Sequence, residues 1–353
     1  MPTSTSPSSS SFSSESVPPL KSALVLGAGS WGTALADMLA RRGLDVVFWG
    51  RDEALMSGMA STRHNERYLP ELEIHERVVP THDFAVLKEA QFDLVVFVVP
   101  SKGLRAVSAQ LHDAGVFHGN ELLLSCTKGI EMSTGKTMSG VLGDVFPQHR
   151  HAALSGPNHA EEISRQMPSA GVVACDDAAS GLALQGCFTL PWFRCYTSED
   201  VLGVEWAGAM KNVYAIAAGI ARGLNLGDNA IAALVTRGLA EMVRLGVARG
   251  GQVETFYGLS GVGDLVATCY SEHSRNNRVG KLLGQGMPLP EIIASTRMVA
   301  EGVPNTESLW HSAREAGVRT PLMDAVYGVL YENKPPKRAL QELLGRDPRP
   351  END

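Results

Sequence analysis

Lys211 and Asn212 are the residues most out of keeping with their surroundings in this chain. They interrupt a segment, Gly203 to Tyr214, whose other residues are mostly apolar. At helical spacing the neighbours of Lys211 are Ala207, Gly208 and Ala215, small residues that leave space beside the ammonium for a bound molecule. An ordinary lysine is protonated at neutral pH and is no base; burial or a second nearby cation brings its pKa into the working range. Lys128, in Leu124-Ser125-Cys126-Thr127-Lys128-Gly129 just past an expected strand end, is the candidate for that second cation. The competing reading makes Lys211 a snorkelling side chain and Lys128 a lysine of a surface turn.

Two further segments carry chemistry. Ser274-Arg275-Asn276 precedes a helical stretch, so side-chain and backbone donors converge on an anion there, with Arg275 as a bidentate fork. An ordinary helix cap beside a surface arginine is the plain alternative. Leu259-Ser260-Gly261-Val262-Gly263-Asp264 lies shortly before it and brings in Asp264. Near the N-terminus, Gly27-Ala28-Gly29-Ser30-Trp31-Gly32 follows the apolar run Ala23 to Leu26 and opens a helical pattern. Such a turn binds dinucleotide pyrophosphates: Gly27 makes the turn, Gly29 admits the phosphate and Gly32 packs helix on strand. A dinucleotide, an anion grip and a proton-handling lysine together suit hydride transfer.

These residues need a scaffold, and the patterning supplies one. Short β-rich runs alternate with helical segments as far as residue 198, at 23–26, 46–49, 94–99, 122–126, 152–154, 171–174 and 193–196. Several are continuously apolar, as in strands of a parallel sheet covered on both faces. Beyond residue 198 the pattern turns helical, over 201–221 and 228–248 with Asp228 as N-cap, then 280–283, 289–295, 306–316 and 321–331. The expected fold is an α/β Rossmann-like N-terminal domain with a mostly parallel sheet, followed by an all-α C-terminal domain. The expected divisions are a disordered Ser/Pro-rich tail at 1–20, a dinucleotide-binding domain at 21–198, a helical substrate and catalytic domain at 199–345 and a tail at 346–353.

Composition narrows the classes. The formal net charge is -7 and no basic tract is suited to a nucleic-acid backbone. No apolar run approaches the ~20 residues of a membrane helix. The five cysteines are scattered without a C-x-x-C pair, as expected of reduced thiols, and the Ser-rich start lacks the basic and apolar parts of a secretory signal. The expected location is cytoplasmic. No H-x-x-x-H, H-E-x-x-H or carboxylate cluster suggests a metal. Where an NAD site usually carries an acid at the end of the second strand, this chain reads Trp49-Gly50-Arg51-Asp52. Arg51 can pair with a 2′-phosphate, which gives NADP the edge; a solvated loop arginine beside its neighbour Asp52 allows NAD.

In order, GAGSWGTALA at 27–36, CTKGIE at 126–131, SGPNHAEE at 155–162, GAMKNVYAIAAG at 208–219, GLSGVGDLVATC at 258–269, SRNNRVG at 274–280 and VAEGVPNT at 299–306 resemble the bacterial-type NAD(P)-dependent sn-glycerol-3-phosphate dehydrogenases. The resemblance runs from about Lys21 to Tyr331. It implies that Lys211 exchanges a proton with the substrate oxygen at C2, with Lys128 and Asp264 orienting the reacting oxygens and tuning Lys211. It implies Ser274, Arg275 and Asn276 at the substrate phosphate and Gly156 and Asn158 along the substrate. Ser30, Trp31, Arg51, Tyr68, Lys128, Ala160 and Arg275 would contact the dinucleotide, and Val299 and Glu301 its nicotinamide end. A homodimer and a supply of sn-glycerol 3-phosphate for phospholipids are also implied. Asn158 and His159 depart from the hydroxyl residue and aromatic often found in S-G-P-x-x-A; His159 is either a further acid or base or a packed, capping histidine. Two other readings are a related hydroxyacid dehydrogenase and a non-catalytic NADPH sensor, which would need no lysine in its helical domain.

Overall fold

A computed structural model of the chain describes residues 19–295 and 300–351. The N-terminal half is built on ten strands: β1 Ser22–Leu26, β2 Asp45–Trp49, β3 His64–Asn65, β4 Leu69–Glu73, β5 Val78–Thr81, β6 Leu94–Phe97, β7 Leu122–Ser125, β8 Arg150–Ser155, β9 Ser169–Cys175 and β10 Phe193–Ser198. Eight form one sheet in the order β10-β9-β8-β7-β6-β1-β2-β5, and β3 and β4 form a small hairpin. All neighbours in the large sheet run parallel except β8 and β9. The parallel strands are apolar throughout because both faces are covered: Leu24, Leu26, Val95 and Phe97 face one core, Ala23, Val25, Leu94 and Val96 the other.

All seven expected strands form. The missed strands are those with the weakest patterns. β5 reads Val78-Val79-Pro80-Thr81 and contains a proline, which a strand tolerates at a sheet edge. It pairs with β2 alone.

The chain leaves β10 at Ser198 and enters a 23-residue helix, Val201–Gly223, that forms the buried axis of the helical half. Asp200 caps it, accepting from the Gly203 N–H at 2.8 Å. The second long helix spans Asp228–Ala248, but its N-cap is Gly227 with φ of +80°, not Asp228. Asp228 instead lies in the first turn, where its charge still suits the positive helix end. The Arg275–Gly284 helix crosses the axial helix backbone to backbone. A Cβ on Gly219 would lie 2.1 Å from the Asn277 carbonyl oxygen, and one on Gly280 2.0 Å from that of Ile216. The final helix, Pro336–Leu344, lies beyond the helical pattern that the sequence displays.

The two halves share a small core in which Ala153, Val172 and Ala174 of the sheet meet Val201 and Val204 of the axial helix. Glu205, buried on the same helix, accepts from the Ser139 N–H at 2.8 Å and from the Ser139 hydroxyl. The five cysteines are free and buried. Among the described residues no helix is long and apolar enough to cross a membrane.

Candidate active site

The chain runs β1–β2–β5 one way across the sheet and β6–β7–β8 the other, so a crevice opens beyond the C-terminal ends of β1 and β6. The glycine turn lies at that point. Gly27 has φ of +118°, and a Cβ there would sit 2.8 Å from the Val98 carbonyl carbon and oxygen. A Cβ on Gly32 would collide with the Gly27 carbonyl oxygen at 1.9 Å. Gly29, by contrast, faces open space, with no atom within 4 Å of where its Cβ would stand. It is also the N-cap of the Ser30–Arg41 helix, which no side chain caps. Two glycines thus serve packing and one leaves a cradle at an uncapped helix N-terminus, which fits a pyrophosphate.

The flanking residues frame this cradle. The Ser30 hydroxyl donates to the Tyr68 carbonyl at 2.8 Å. Asn65, fully buried, donates from Nδ2 to the Ala28 carbonyl at 3.1 Å and to Thr33 Oγ1 at 2.7 Å, tying the glycine turn to the β3–β4 hairpin. Trp31 packs half-buried on the core, and Ala160 is buried in it. Arg51 is exposed at the end of β2. Its neighbour Asp52 caps the next helix at the Leu55 N–H (3.0 Å) and pairs with Arg67. Asp52 is thus paired with Arg67 and not with Arg51.

The second group gathers where β7 and β8 end. Lys211, from the axial helix, donates to Asp264 Oδ1 at 2.5 Å and to Thr268 Oγ1 at 2.7 Å. Lys128 donates to the other carboxylate oxygen at 2.5 Å and to the Gly156 carbonyl at 3.1 Å. One carboxylate thus holds two ammonium groups, with side chains 10% exposed at Lys211, 17% at Lys128 and 1% at Asp264. Burial, aided by Lys128 and opposed by Asp264, pushes Lys211 down to about 8. Burial alone would raise Asp264, but the two lysines outweigh it and hold its carboxyl below the usual range. The space expected beside Gly208 is taken by protein: a Cβ there would meet the Ser155 hydroxyl at 2.8 Å and Lys128 at 3.6 Å. The small residue makes room for Lys128.

Asp264 opens the Asp264–Tyr270 helix directly after a π-helical turn, Leu259–Gly263. Thr268 stands four residues on, one helical turn above it, and its i,i+4 spacing from Asp264 was the signal by which the sequence could have supplied it. At Gly156 φ is +139°, and Asn158 donates from Nδ2 to the Ala170 carbonyl at 2.9 Å while its Oδ1 is buried without a partner.

The third group joins the halves. Ser274 caps the Arg275–Gly284 helix at the Asn277 N–H, 3.2 Å away. Asn276 is buried, donating to Asn212 Oδ1 at 2.8 Å and accepting from the Gly302 N–H at 2.9 Å. Arg275 is exposed above them. Glu301 accepts from the Ser101 hydroxyl at 2.6 Å, and burial raises its pKa against that bond. Asn305 donates to the Lys128 carbonyl at 3.0 Å. Ser101, which lies in none of the motifs, and Asn305, which lies in VAEGVPNT without an assigned role, therefore clasp the helical half to the sheet. Val299 lies outside the described residues.

Comparison with known proteins bears on the whole arrangement. The profile of the NAD-dependent glycerol-3-phosphate dehydrogenase N-terminus matches residues 22–180 and that of its C-terminus residues 200–341. A glycerol-3-phosphate dehydrogenase [NAD(P)+] of Geobacter sulfurreducens is 48% identical over 92% of this chain and 96% of its own. The crystal structure of glycerol-3-phosphate dehydrogenase from Coxiella burnetii superposes with a TM-score of 0.88 at 36% identity, covering 93% of this chain and 99% of that one. A D-mandelate dehydrogenase reaches a TM-score of only 0.57 at 13% identity over 91% of this chain and 99% of its own, a likeness of fold alone. With both halves matched and the lysine-carboxylate-lysine group assembled beyond the ends of β7 and β8, the chain belongs to the NAD-dependent glycerol-3-phosphate dehydrogenase family.

Proposed function

We propose that this protein reduces dihydroxyacetone phosphate to sn-glycerol 3-phosphate with NADPH or NADH, and so supplies the backbone of glycerophospholipids. The observation that carries the mechanism is Lys211 buried on Asp264 beside Lys128. The dinucleotide, when bound, supplies the hydride. Lys211 in its ammonium form donates a proton to the C2 oxygen as that carbon is reduced, and takes it back in oxidation. Lys128 keeps a positive charge beside the oxygen and, through Asp264, lowers the cost of a neutral Lys211. Arg275 above Ser274 and Asn276 holds the phosphate, which positions the reacting carbon from a distance. Gly156 and Asn158 line the substrate, with Asn158 Oδ1 accepting from one of its hydroxyls.

Gly27, Gly29 and Gly32 shape the pyrophosphate cradle, with Ser30, Trp31, Tyr68 and Ala160 around it. Arg51, not engaged by Asp52, meets the adenine-ribose end and favours a 2′-phosphate. Glu301 closes the nicotinamide end. Residues 21–198 serve as the cofactor domain and 199–345 as the substrate domain. A cytoplasmic homodimer is the working form that the family resemblance implies; light scattering on the full chain tests it.

The decisive assay follows loss of reduced-nicotinamide absorbance with dihydroxyacetone phosphate, with unphosphorylated dihydroxyacetone, and with NADH in place of NADPH. Turnover that requires the phosphate is the expected result. No turnover with either cofactor, in protein that binds NADPH, would return the site to hydroxyacids or to a sensor. Arg51→Ala narrowing the ratio of NADPH to NADH efficiency would assign that residue.

A further inference from the structure

We propose that Arg67 sets the dinucleotide preference by masking the charge of Asp52 from the ribose end of the glycine cradle. This rests on the dinucleotide reading given above. The end of β2 stands directly against the glycine turn: the Gly27 N–H donates to the Trp49 carbonyl at 3.0 Å, and a Cβ on Gly50 would lie 2.7 Å from that of Ala28. Arg51 and Asp52, the next two residues, therefore flank the turn where a bound dinucleotide carries its adenosine ribose.

The β3–β4 hairpin approaches the same turn from another side. Asn65 ties it to Ala28 and Thr33, and the Tyr68 carbonyl accepts from Ser30 in the first turn of the cradle helix. Arg67 lies between these two anchors along the chain, so they limit where its guanidinium can reach. Its Nη1 donates to Asp52 Oδ2 at 2.5 Å, and the guanidinium carbon lies 5.9 Å from the centroid of the Tyr68 ring. The ion pair thus joins the hairpin to the end of β2 beside the cradle.

Asp52 needs this partner because its charge is fixed. Its Oδ1 caps the Glu53–Thr62 helix at the Leu55 N–H, and that bond together with Arg67 holds the carboxyl below its usual range, so it is ionised at neutral pH. A bare carboxylate at this place accepts from a ribose 2′-hydroxyl and repels a 2′-phosphate. With Oδ2 occupied by Arg67 the two charges offset, and Arg51 supplies the net positive charge that a 2′-phosphate meets. The side chains of the pair are 42% and 37% exposed, so dissolved salt weakens the masking and makes it measurable.

The test measures Kd for NADPH and for NADH by nicotinamide fluorescence, without substrate, on the full-length parent, Arg67→Ala, Arg67→Lys, Asp52→Asn and the double variant of Asp52→Asn with Arg67→Ala. Asparagine keeps the helix cap, so Asp52→Asn removes the charge alone. Arg67→Ala should move the preference at least about fivefold from NADPH toward NADH at an ionic strength of about 0.01 M, and much less at about 1 M. Arg67→Lys should keep most of the parental preference. In the Asp52→Asn background, Arg67→Ala should move it by less than about twofold, because the charge it masks is gone. An unchanged preference in Arg67→Ala would overturn the proposal. So would an equal shift in the Asp52→Asn background, which marks direct contact of Arg67 with the 2′-phosphate, or equal weakening of both dinucleotides, which marks a role in holding the hairpin. A parent that binds both dinucleotides yet reduces no dihydroxyacetone phosphate would remove the reaction proposed above and leave this inference standing; a parent that binds neither would remove both.

Discussion

In the proposed reaction Lys211 sets the chemistry, because one carboxylate and two ammonium groups share a space nearly closed to water. Removing its amine in Lys211→Ala should lower kcat by about 10²- to 10⁴-fold while NADPH affinity, measured by fluorescence, changes little. Unchanged turnover would instead favour the sensor. The titration of Lys211 near pH 8 gives the pH dependence a sign. Reduction needs the ammonium, so its kcat/KM should fall as pH rises through about 8; oxidation needs the amine and should rise through the same range. Asp264→Asn removes the group that favours the charged lysine, so this limb should move to lower pH. A limb that stays in place in the variant would exclude the pairing as its cause.

At the scale of elements, the glycine turn and the helix crossing show packing and function separated by single atoms. Gly29→Ala meets no protein atom, so its thermal stability should lie within about 1 kcal/mol of the parent while dinucleotide binding weakens. Gly32→Ala drives a methyl into the Gly27 carbonyl and should cost about 1–3 kcal/mol or more in denaturant titrations. Equal stability losses in the two would mean that Gly29 also serves packing. The crossing of the Val201–Gly223 and Arg275–Gly284 helices works by the same means. Glycines at the contact let the backbones touch, and that contact brings Asn276 onto Asn212, one residue from Lys211.

Across the whole molecule, the halves are held by polar clasps over a small shared core, at Ser101–Glu301, Asn305–Lys128 and Ser139–Glu205. The helical half also stores a buried acid. Glu241 accepts from the Leu322 N–H at 2.7 Å, the Met323 N–H at 3.2 Å and the Tyr214 hydroxyl at 3.2 Å. Burial outweighs these donors and raises its pKa to about 7. A carboxyl whose pKa is higher in the folded chain binds its proton more tightly there, so it costs stability as pH rises from the unfolded value toward 7. Relative to Glu241→Gln, the parent should therefore lose of order 3 kcal/mol between pH 4 and 8, read from unfolding at a series of pH values. A difference that does not vary with pH would show that Glu241 ionises freely in the folded chain.

The sequence by itself determined what short-range patterns can carry. Apolar runs buried on both faces marked the central strands, the glycine spacing marked the turn after β1, and Lys211 stood out because its helix is otherwise apolar. Periodicity failed where few residues hold an element, as in β3, β4 and the proline-bearing β5. It also assigned Asp228 to a cap that a positive-φ glycine provides. Only the tertiary structure decided which polar residues share one place. Lys128, Lys211 and Asp264 lie far apart along the chain, and their contact depends on how the axial helix seats against the ends of β7 and β8. The same holds for Asp52 paired with Arg67, for Gly208 making room for Lys128, and for Asn65 beneath the glycine turn. Charge pairing and burial act through space, and no local spacing encodes which of two cations a carboxylate meets.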